Sequence, residues 1–195
     1  MTQVLERPVT IAQSVATPDT PRHFSYSEFR QMSEFGWFAD QHVELLNGEI
    51  TVKGMQSPRH AYAILFLDEA IKLLLGKTAV VAVQLPIALL APPPDFLEPD
   101  IAIRLPPLSR YADKEATSAD TVLVIEISDS TLERDQNAKL EAYARNQIPE
   151  YWIYNLHNNT LTIQTEPRDN IYTLSRVLHV GQAASIFEQT LEWWG

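Results

Sequence analysis

The sequence predicts an α/β fold, a single domain in which helices flank a mixed β-sheet, and three features lead to this prediction. Residues 121–127 form an almost unbroken apolar and β-branched run, which is typical of a central strand. Helical patterns precede and follow this run at 57–75 and 130–146. The chain has 195 residues and 45% of them are hydrophobic, which suits one sizeable core. We therefore expect a mobile arm over residues 1–22 and one domain over 23–195.

Local signals define the first two elements. The SYSE run at 25–28 fits a helix capping box, so a short helix is predicted to follow it and to end at Gly36. Residues 42–52 are predicted to form a β-hairpin, because its central pair, Asn47-Gly48, is favoured in two-residue type I′ turns.

The next elements are a long helix and two strands. The helix over 57–75 begins with a Ser-Pro pair, which suits the N-cap and first helical positions, and Gly76 closes it. Residues 79–85 read as a strand, which 87–90 could continue past a proline, and residues 100–104 read as a short strand.

The second half of the chain repeats the alternation of strands and a helix. Residues 105–120 are polar and predicted to form a surface excursion before the central strand at 121–127. The helix over 130–146 is followed by predicted strands at 150–155, 161–165 and 171–177.

Composition narrows the classes of function. The chain has no cysteine, which excludes disulfides, thiolate metal ligands and a cysteine nucleophile, so any metal must bind carboxylate or imidazole groups. The sequence has no apolar run of membrane-spanning length and no secretory signal, so we expect a cytoplasmic protein without a membrane partner. The formal net charge of −10 repels phosphate backbones, so a nucleic-acid partner would require a local basic surface, the groove of a homodimer or a bound metal. Motifs of P-loop, dinucleotide-binding, zincin and serine-hydrolase sites are absent.

Glu126 is the first candidate for chemistry. A carboxylate in a buried strand is costly unless it is paired, protonated or bound to metal. Because side chains alternate along a strand, Glu126 and Ser128 share one face, and Ile125 and Ile127 share the other. Glu126 also lies near the carboxyl end of its strand, where open α/β sheets place ligands. The pattern fits a metal ligand and a carboxylate that bonds to a nearby helix equally well.

Asp100 opens a second short strand after a proline-rich loop. An Asp at such a position is often only a turn residue. The carboxylates of Asp100 and Glu126 could nevertheless converge on one edge of the sheet. With a main-chain carbonyl and waters, they would suit Mg²⁺ or Mn²⁺.

Lys139 lies on the helix that follows Glu126, four residues after Asp135 and on the same helical face. Considered alone, it is predicted to form an exposed ion pair worth only about 0.3 kcal/mol, whose loss costs little stability. Beside a metal site, it could orient an attacking water or neutralise charge that develops on a phosphate. Tyr143, one turn further on, either lines the same face or packs.

Three further positions are open to two interpretations each. Glu44, in the first strand of the hairpin, fits a surface carboxylate better than a third acid that reaches the metal or its water. His60, on the first turn of the long helix, is more typical of capping or packing than of catalysis. Trp193 and Trp194 fit a hydrophobic anchor better than a platform for base stacking.

Six runs, taken in order, resemble a known family. They are VELLNGEI at 43–50, SPRH at 57–60, PDI at 99–101, VIEIS at 124–128 with the following Ser130-Thr131, D-x-x-x-K at 135–139 with Tyr143-Ala144, and PEYWI at 149–153. In this order the chain resembles the Uma-type family of bacterial endonucleases, which is assigned to the restriction-endonuclease-like PD-(D/E)XK superfamily. The resemblance covers roughly residues 24 to 190.

The resemblance implies a restriction-endonuclease-like fold and a metal-dependent endonuclease that hydrolyses phosphodiester bonds of DNA. Asp100 and Glu126 would hold Mg²⁺ or Mn²⁺ with the Ile127 carbonyl, Glu44 would supply a further acid, and Lys139 would be the catalytic lysine. The superfamily places its lysine two residues after the acid, where this chain has Ser128, so the lysine is implied to have moved to the next helix. The alternatives are an inactive nuclease-fold module that binds nucleic acid or a protein, and hydrolysis of a smaller phosphorylated substrate.

Overall fold

The computed structural model describes residues 21–193, and the first predicted helix is present there. Helix α1 (Tyr26–Glu34) begins after Ser25, whose side chain accepts the Glu28 N–H while the Glu28 carboxylate accepts the Ser25 N–H. The predicted capping box is therefore confirmed. The predicted arm over residues 1–22 falls almost entirely outside the described residues.

The predicted hairpin is confirmed, and its turn explains its glycine. Strands β1 (Val43–Leu46) and β2 (Glu49–Val52) pair antiparallel around Asn47 and Gly48. These two residues have φ values of 51° and 81°, and a type I′ turn requires positive φ at both positions. A Cβ atom added at Gly48 would lie 2.6 Å from the Cβ of His23, so this position also lacks room for a side chain.

Helix α2 (Pro58–Leu75) has the predicted bounds. The Ser57 side chain accepts the His60 N–H at its start, and Gly76, with φ 54°, ends it. Its buried face packs against the main sheet and comprises Ala63, Ile64, Leu67, Ile71 and Leu75.

Strand β3 (Val80–Val83) is shorter than predicted, and the chain does not continue it past Pro86. Gln84 has φ 50° and breaks the extended backbone. Strands β4 (Ile87–Leu89) and β5 (Asp95–Leu97) instead join the hairpin in a separate four-stranded sheet, with the order β2-β1-β5-β4. The prediction of a continued strand is therefore wrong, and β5 was not predicted.

The main sheet has six strands and is mixed, as predicted. Its order is β10-β9-β8-β7-β6-β3, and all neighbours pair antiparallel except β7 and β8, which are parallel. The added strands are β6 (Ile101–Arg104), β7 (Thr121–Ser128), β8 (Glu150–Asn155), β9 (Thr160–Arg168) and β10 (Ile171–Leu178). Two short 3₁₀ turns (Leu108–Tyr111 and Ser118–Asp120) lie in the excursion before β7.

The connection from β7 to β8 is helical, as predicted, but it is not uniformly α-helical. It consists of α3 (Leu132–Arg134), a π segment (Asp135–Lys139) and α4 (Leu140–Arg145). Short π segments inside helices often occur at functional sites because they change which side chains share a face.

Side-chain alternation along β7 divides the core into two layers. Ile125 and Ile127 pack with α2, whereas Val124 lies on the side of α4 and the four-stranded sheet. Glu126 and Ser128 share the second side, since strand side chains alternate. Glu126 is therefore directed towards the helical connection.

A final hairpin, which was not predicted, covers the side of the main sheet on which α2 also packs. It consists of β11 (Gln182–Ile186) and β12 (Gln189–Trp193). Trp193 is buried and meets Tyr154 edge to face, with ring centroids 4.5 Å apart. The anchor interpretation of Trp193 is confirmed, and Trp194 lies outside the described residues.

Candidate active site

Asp100 and Glu126 lie at the same edge of the main sheet. Strands β6 and β7 are antiparallel neighbours, and their paired register ends at Ile101 and Ile125. Just beyond this pair, Asp100 Oδ2 accepts the Ile127 N–H at 2.8 Å. The Asp100 carboxylate therefore accepts the hydrogen bond that a backbone carbonyl would accept if the β6–β7 pairing continued. This bond holds the side chain beside the end of β7.

Lys139 is buried among acids rather than exposed. Its Nζ donates to Glu126 Oε1 at 2.8 Å and lies 3.1 Å from Glu44 Oε1. The predicted pair with Asp135 is present only at 4.0 Å, and 4% of Lys139 is exposed. The interpretation as an exposed ion pair is therefore wrong, because Lys139 lies buried on the π segment. The small stability cost expected for an exposed pair no longer follows.

Glu44 is fully buried, so its interpretation as a surface carboxylate is also wrong. Its Oε2 lies 3.0 Å from Arg134 Nη2, and its Oε1 accepts the Glu98 N–H at 3.1 Å. Glu44 reaches Lys139 from the four-stranded sheet, whereas Glu126 reaches it from the main sheet. The lysine therefore joins the two sheets at this point.

Several contacts at the site were not predicted. His60 Nε2 lies 3.2 Å from Asp100 Oδ2, so His60 contacts a predicted metal ligand instead of only capping or packing. Tyr143, for which both lining this face and packing were expected, donates its hydroxyl to Glu126 Oε1 at 2.9 Å, the oxygen that Lys139 also contacts. Asp135 is fixed by Ser128 Oγ at 2.7 Å and by Thr131 Oγ1 at 2.6 Å.

Arg134 is a further site residue that the sequence analysis missed. Residues five apart do not share a face of an α-helix, so the sequence gave no reason to group Arg134 with Lys139. The π segment brings both to Glu44. A signal for the π segment is not apparent in the sequence.

Burial and neighbouring charges set the protonation states of the acids. Burial raises the pKa of Glu126 to about 8, against the opposing effect of Lys139. Burial also disfavours ionised Glu44, but Lys139, Lys53 and Arg134 together bring its pKa below its usual range. Lys139 stays charged because Glu126 and Glu44 raise its pKa despite burial.

Asp100 and His60 form a second, smaller charge pair. Burial opposes ionisation of Asp100, but the hydrogen bond and charge of His60 lower its pKa below the usual value. Burial likewise opposes charging of His60, and Asp100 and the Ile127 carbonyl reverse this effect and raise its pKa. Among Glu44, Asp100 and Glu126, Glu126 is thus the acid whose pKa is raised, because burial outweighs the effect of Lys139.

The acids open onto a cavity of about 350 Å³. Its walls come from β2 and the following loop, the start of α2, the sheet edge, and the helical connection. The lining residues are Glu44, Thr51, Val52, Lys53, Gly54, Met55, Gln56, Ser57, His60, Asp100, Glu126, Ile127, Asp129, Ser130, Thr131, Arg134, Asp135 and Lys139.

Two oxygens at this cavity fit a hard cation. Asp100 uses only Oδ2 and Glu126 only Oε1 in hydrogen bonds within residues 21–193, which leaves Oδ1 and Oε2 without donors there. Ile127 also lines the cavity. Over the same residues, no three His, Asp or Glu side chains are already gathered as a metal site. The residues therefore fit a Mg²⁺-like ion that keeps several waters.

The fold is that of a nuclease-like α/β domain. It is similar to a crystal structure from Anabaena variabilis ATCC 29413, described as "a putative nuclease belonging to DUF820", with a TM-score of 0.64. The two are 15% identical, and the similarity covers 84% of this chain and 89% of the other.

The chain belongs to the Uma2 family, described as "Putative restriction endonuclease", whose match covers residues 26–194. This confirms the family resemblance of the six sequence runs. Comparison with curated proteins gives no match. Within residues 21–193, no helix is both long and apolar enough to cross a membrane.

Proposed function

We propose that this protein is a Mg²⁺- or Mn²⁺-dependent endonuclease that hydrolyses phosphodiester bonds of DNA. The observation that carries the proposal is the meeting of Asp100, Glu126 and Lys139 at one sheet edge beside an open cavity. Family membership supports the same class of reaction. The site, more than the fold, is what argues for chemistry, because one fold can serve many functions.

Asp100, Glu126 and the Ile127 carbonyl are the groups proposed to hold the metal. When bound, such an ion polarises the phosphate and lowers the pKa of a coordinated water. Asp100 is kept ionised by His60, and its Oδ2 is fixed by the Ile127 N–H. This arrangement orients Asp100 Oδ1 without requiring any movement of the sheet.

Lys139 is proposed to stabilise negative charge on the reacting phosphate, and Glu44 is proposed to hold Lys139 in place. Lys139 is held by Glu126 on one side and Glu44 on the other, so its cation is fixed close to the metal ligands. A fixed positive charge stabilises the negative charge that a phosphate gains in the transition state. Glu44 is proposed to act through Lys139 as a positioning residue, since both of its oxygens already face cations or a backbone donor.

The charges around the cavity bear on how an acidic chain could bind DNA. Lys53, His60, Arg134 and Lys139 line the cavity, but so do five acids, and the whole chain has a net charge of −10. Attraction to phosphate at this opening is therefore expected to depend on the positive charge of a bound metal. Whether a homodimer extends it stays a prediction.

A nuclease assay tests the proposal. The chain is incubated with supercoiled plasmid and with single-stranded DNA in Mg²⁺, in Mn²⁺ and in EDTA. We expect cleavage only with metal, and loss of cleavage in Asp100→Asn and Glu126→Gln. Glu150→Gln is a matched control, because Glu150 is a strand acid at the other end of the sheet, bonded to Trp152 Nε1 at 2.9 Å. Cleavage that survives both site substitutions would refute the assigned site.

A non-catalytic binding module is the second candidate, and one feature favours it. Lys139 already neutralises the acids of the site without any metal. DNA binding in the absence of cleavage under every metal condition, together with unchanged binding in Lys139→Ala, would favour this alternative.

A further inference from the structure

A second cavity lies on the other side of the first turns of α2. It has a volume of about 230 Å³ and is separate from the acidic site. This volume is smaller than the roughly 300–1,000 Å³ of pockets for drug-sized ligands, so it suits one small ring system. Its main walls are Arg59, Tyr62, Phe66, Tyr154, Asn159 and Trp193.

Two aromatic pairs form the walls of this second cavity. The rings of Tyr62 and Phe66 are stacked, with centroids 6.3 Å apart and an angle of 21° between their planes. Tyr154 and Trp193 meet at 90° on the opposite side. Tyr62 is 69% exposed, although an aromatic ring of this size normally gains free energy when it is covered. A flat aromatic ligand could cover this ring.

Polar groups at the second cavity suit the edge of such a ligand. Tyr154 is only 7% exposed and lines this cavity. Arg59 Nη2 donates to Asn159 Oδ1 at 3.1 Å, which fixes the guanidinium beside the aromatic rings. The Tyr154 hydroxyl and the Arg59 guanidinium are hydrogen-bond donors, so the cavity is suited to a flat ligand that carries acceptors at its edge.

The second cavity is close to the acidic site. Arg59 and His60 are consecutive, so their Cα atoms are about 3.8 Å apart, but Arg59 lines one cavity and His60 the other. Ile127 and Tyr154 are paired across β7 and β8. The two cavities therefore share neighbouring residues at the start of α2 and at the end of the β7–β8 pair.

We propose that the second cavity binds an unstacked nucleobase of the strand whose phosphate lies in the acidic site. The proposal rests on the proposed function, because it assigns the substrate as single-stranded or locally opened nucleic acid. Tyr62 supplies the stacking surface, and Tyr154 and Arg59 supply polar contacts to the base edge. Base stacking does not depend on the sign of the protein charge, so it offers affinity that a chain with net charge −10 cannot draw from phosphates alone.

Binding in EDTA tests this proposal without any cleavage. Fluorescence anisotropy is measured with a labelled single strand of about 12 nucleotides, a length within the usual site sizes. We expect Tyr62→Ala to weaken binding by about five- to 150-fold, the range that loss of one stacked base gives. Tyr62→Phe should retain the affinity. Leu73→Ala is the matched control, because Leu73 is 80% exposed near the other end of α2.

A base deletion shows whether the effect comes from one stacked base. A single abasic position is moved along the strand, and one position should reproduce the loss in the wild type but add nothing in Tyr62→Ala. An unchanged affinity in Tyr62→Ala, no measurable single-strand binding by the wild type, or equal abasic losses in both proteins would each overturn the proposal.

The two proposals fail in different ways. A chain that binds the strand through Tyr62 but never cleaves it supports the base site and refutes the nuclease. A chain that cleaves DNA with metal, while Tyr62→Ala leaves both strand affinity and KM unchanged, refutes the base site alone.

Discussion

Replacing Lys139 by methionine tests the electrostatic reasoning about the site most directly. Methionine has a similar length and no charge, so Lys139→Met removes a cation that contacts Glu126 at 2.8 Å and Glu44 at 3.1 Å. Glu44 stays buried and ionised after the substitution and loses this counterion, and Glu126 loses a hydrogen-bond donor. Removing one partner of a buried ion pair typically costs about 3–5 kcal/mol. We expect a loss of that size at pH 7, equivalent to about 6–20 °C in melting temperature for a chain of this length.

Urea unfolding in EDTA, followed by far-UV circular dichroism, measures this loss. The matched control is Lys72→Met, which also removes a lysine paired with an acid, Asp68, at 2.7 Å. Lys72 lies on the surface of α2 with 54% of its side chain exposed, so its pair is expected to contribute less than about 1 kcal/mol. The difference between the two variants isolates the effect of burial.

Equal losses in Lys139→Met and Lys72→Met would refute the reasoning. A second check uses the neighbouring acid, since Lys139→Met combined with Glu126→Gln should recover part of the lost stability, as residues in one network are not additive. Divalent metal should also stabilise the protein, by about 1.4 kcal/mol at ten times the dissociation constant. The gain should be larger in Lys139→Met, because the metal then enters a cavity with less positive charge.

Three further predictions concern pH and the backbone. The folded-state pKa of Glu126, about 8, exceeds its usual value of 4.5. Its contribution to stability is therefore full below pH 4.5 and is lost as pH rises through 8. Thermal melting of metal-free Glu126→Gln over a series of pH values should lack this loss. The pKa of Asp120 is lowered to about 2, so its contribution is present above pH 3.8 and is lost as pH falls through 2. Asp120→Asn should therefore lower the free energy of unfolding by about 1–2 kcal/mol at pH 7. Its melting temperature should also fall less than that of the wild type as pH falls towards 2. Gly48→Ala should cost about 2 kcal/mol or more in urea unfolding, because φ is positive there and His23 occupies the space of the added methyl group; a neutral result would contradict the turn geometry.

Local signals in the sequence predicted the elements that depend on near neighbours. The capping box at Ser25, the Asn47-Gly48 turn and the Ser57 N-cap each involve atoms a few residues apart, so the sequence contains the whole interaction. The same holds for the alternation along β7, which correctly separated Glu126 from Ile125.

Elements that depend on distant partners were not predictable in this way. Residues 87–90 were read as strand, but not their place in a second sheet, and the three-residue β5 joins the hairpin through the single pair Leu45 and Phe96. The burial of Glu44 arises where the four-stranded sheet meets the helical connection, which no local pattern describes. Arg134 was missed for a related reason, since only the π segment brings it to the same acid as Lys139.

If the proposed site binds metal, binding must be coupled to folding, because its residues lie far apart in the sequence and meet only in the folded chain. Asp100 and Glu126 belong to the main sheet, Glu44 to the four-stranded sheet, and Lys139 to the helical connection. The proposed ligands Asp100 and Glu126 meet only when β6 and β7 pair in the folded sheet, so an ion that binds both can bind only the folded chain. Any such ion must stabilise the fold in proportion to its affinity. The metal-free protein should therefore lose stability as pH rises and Glu126 ionises. Added metal should raise the free energy of unfolding most in that pH range.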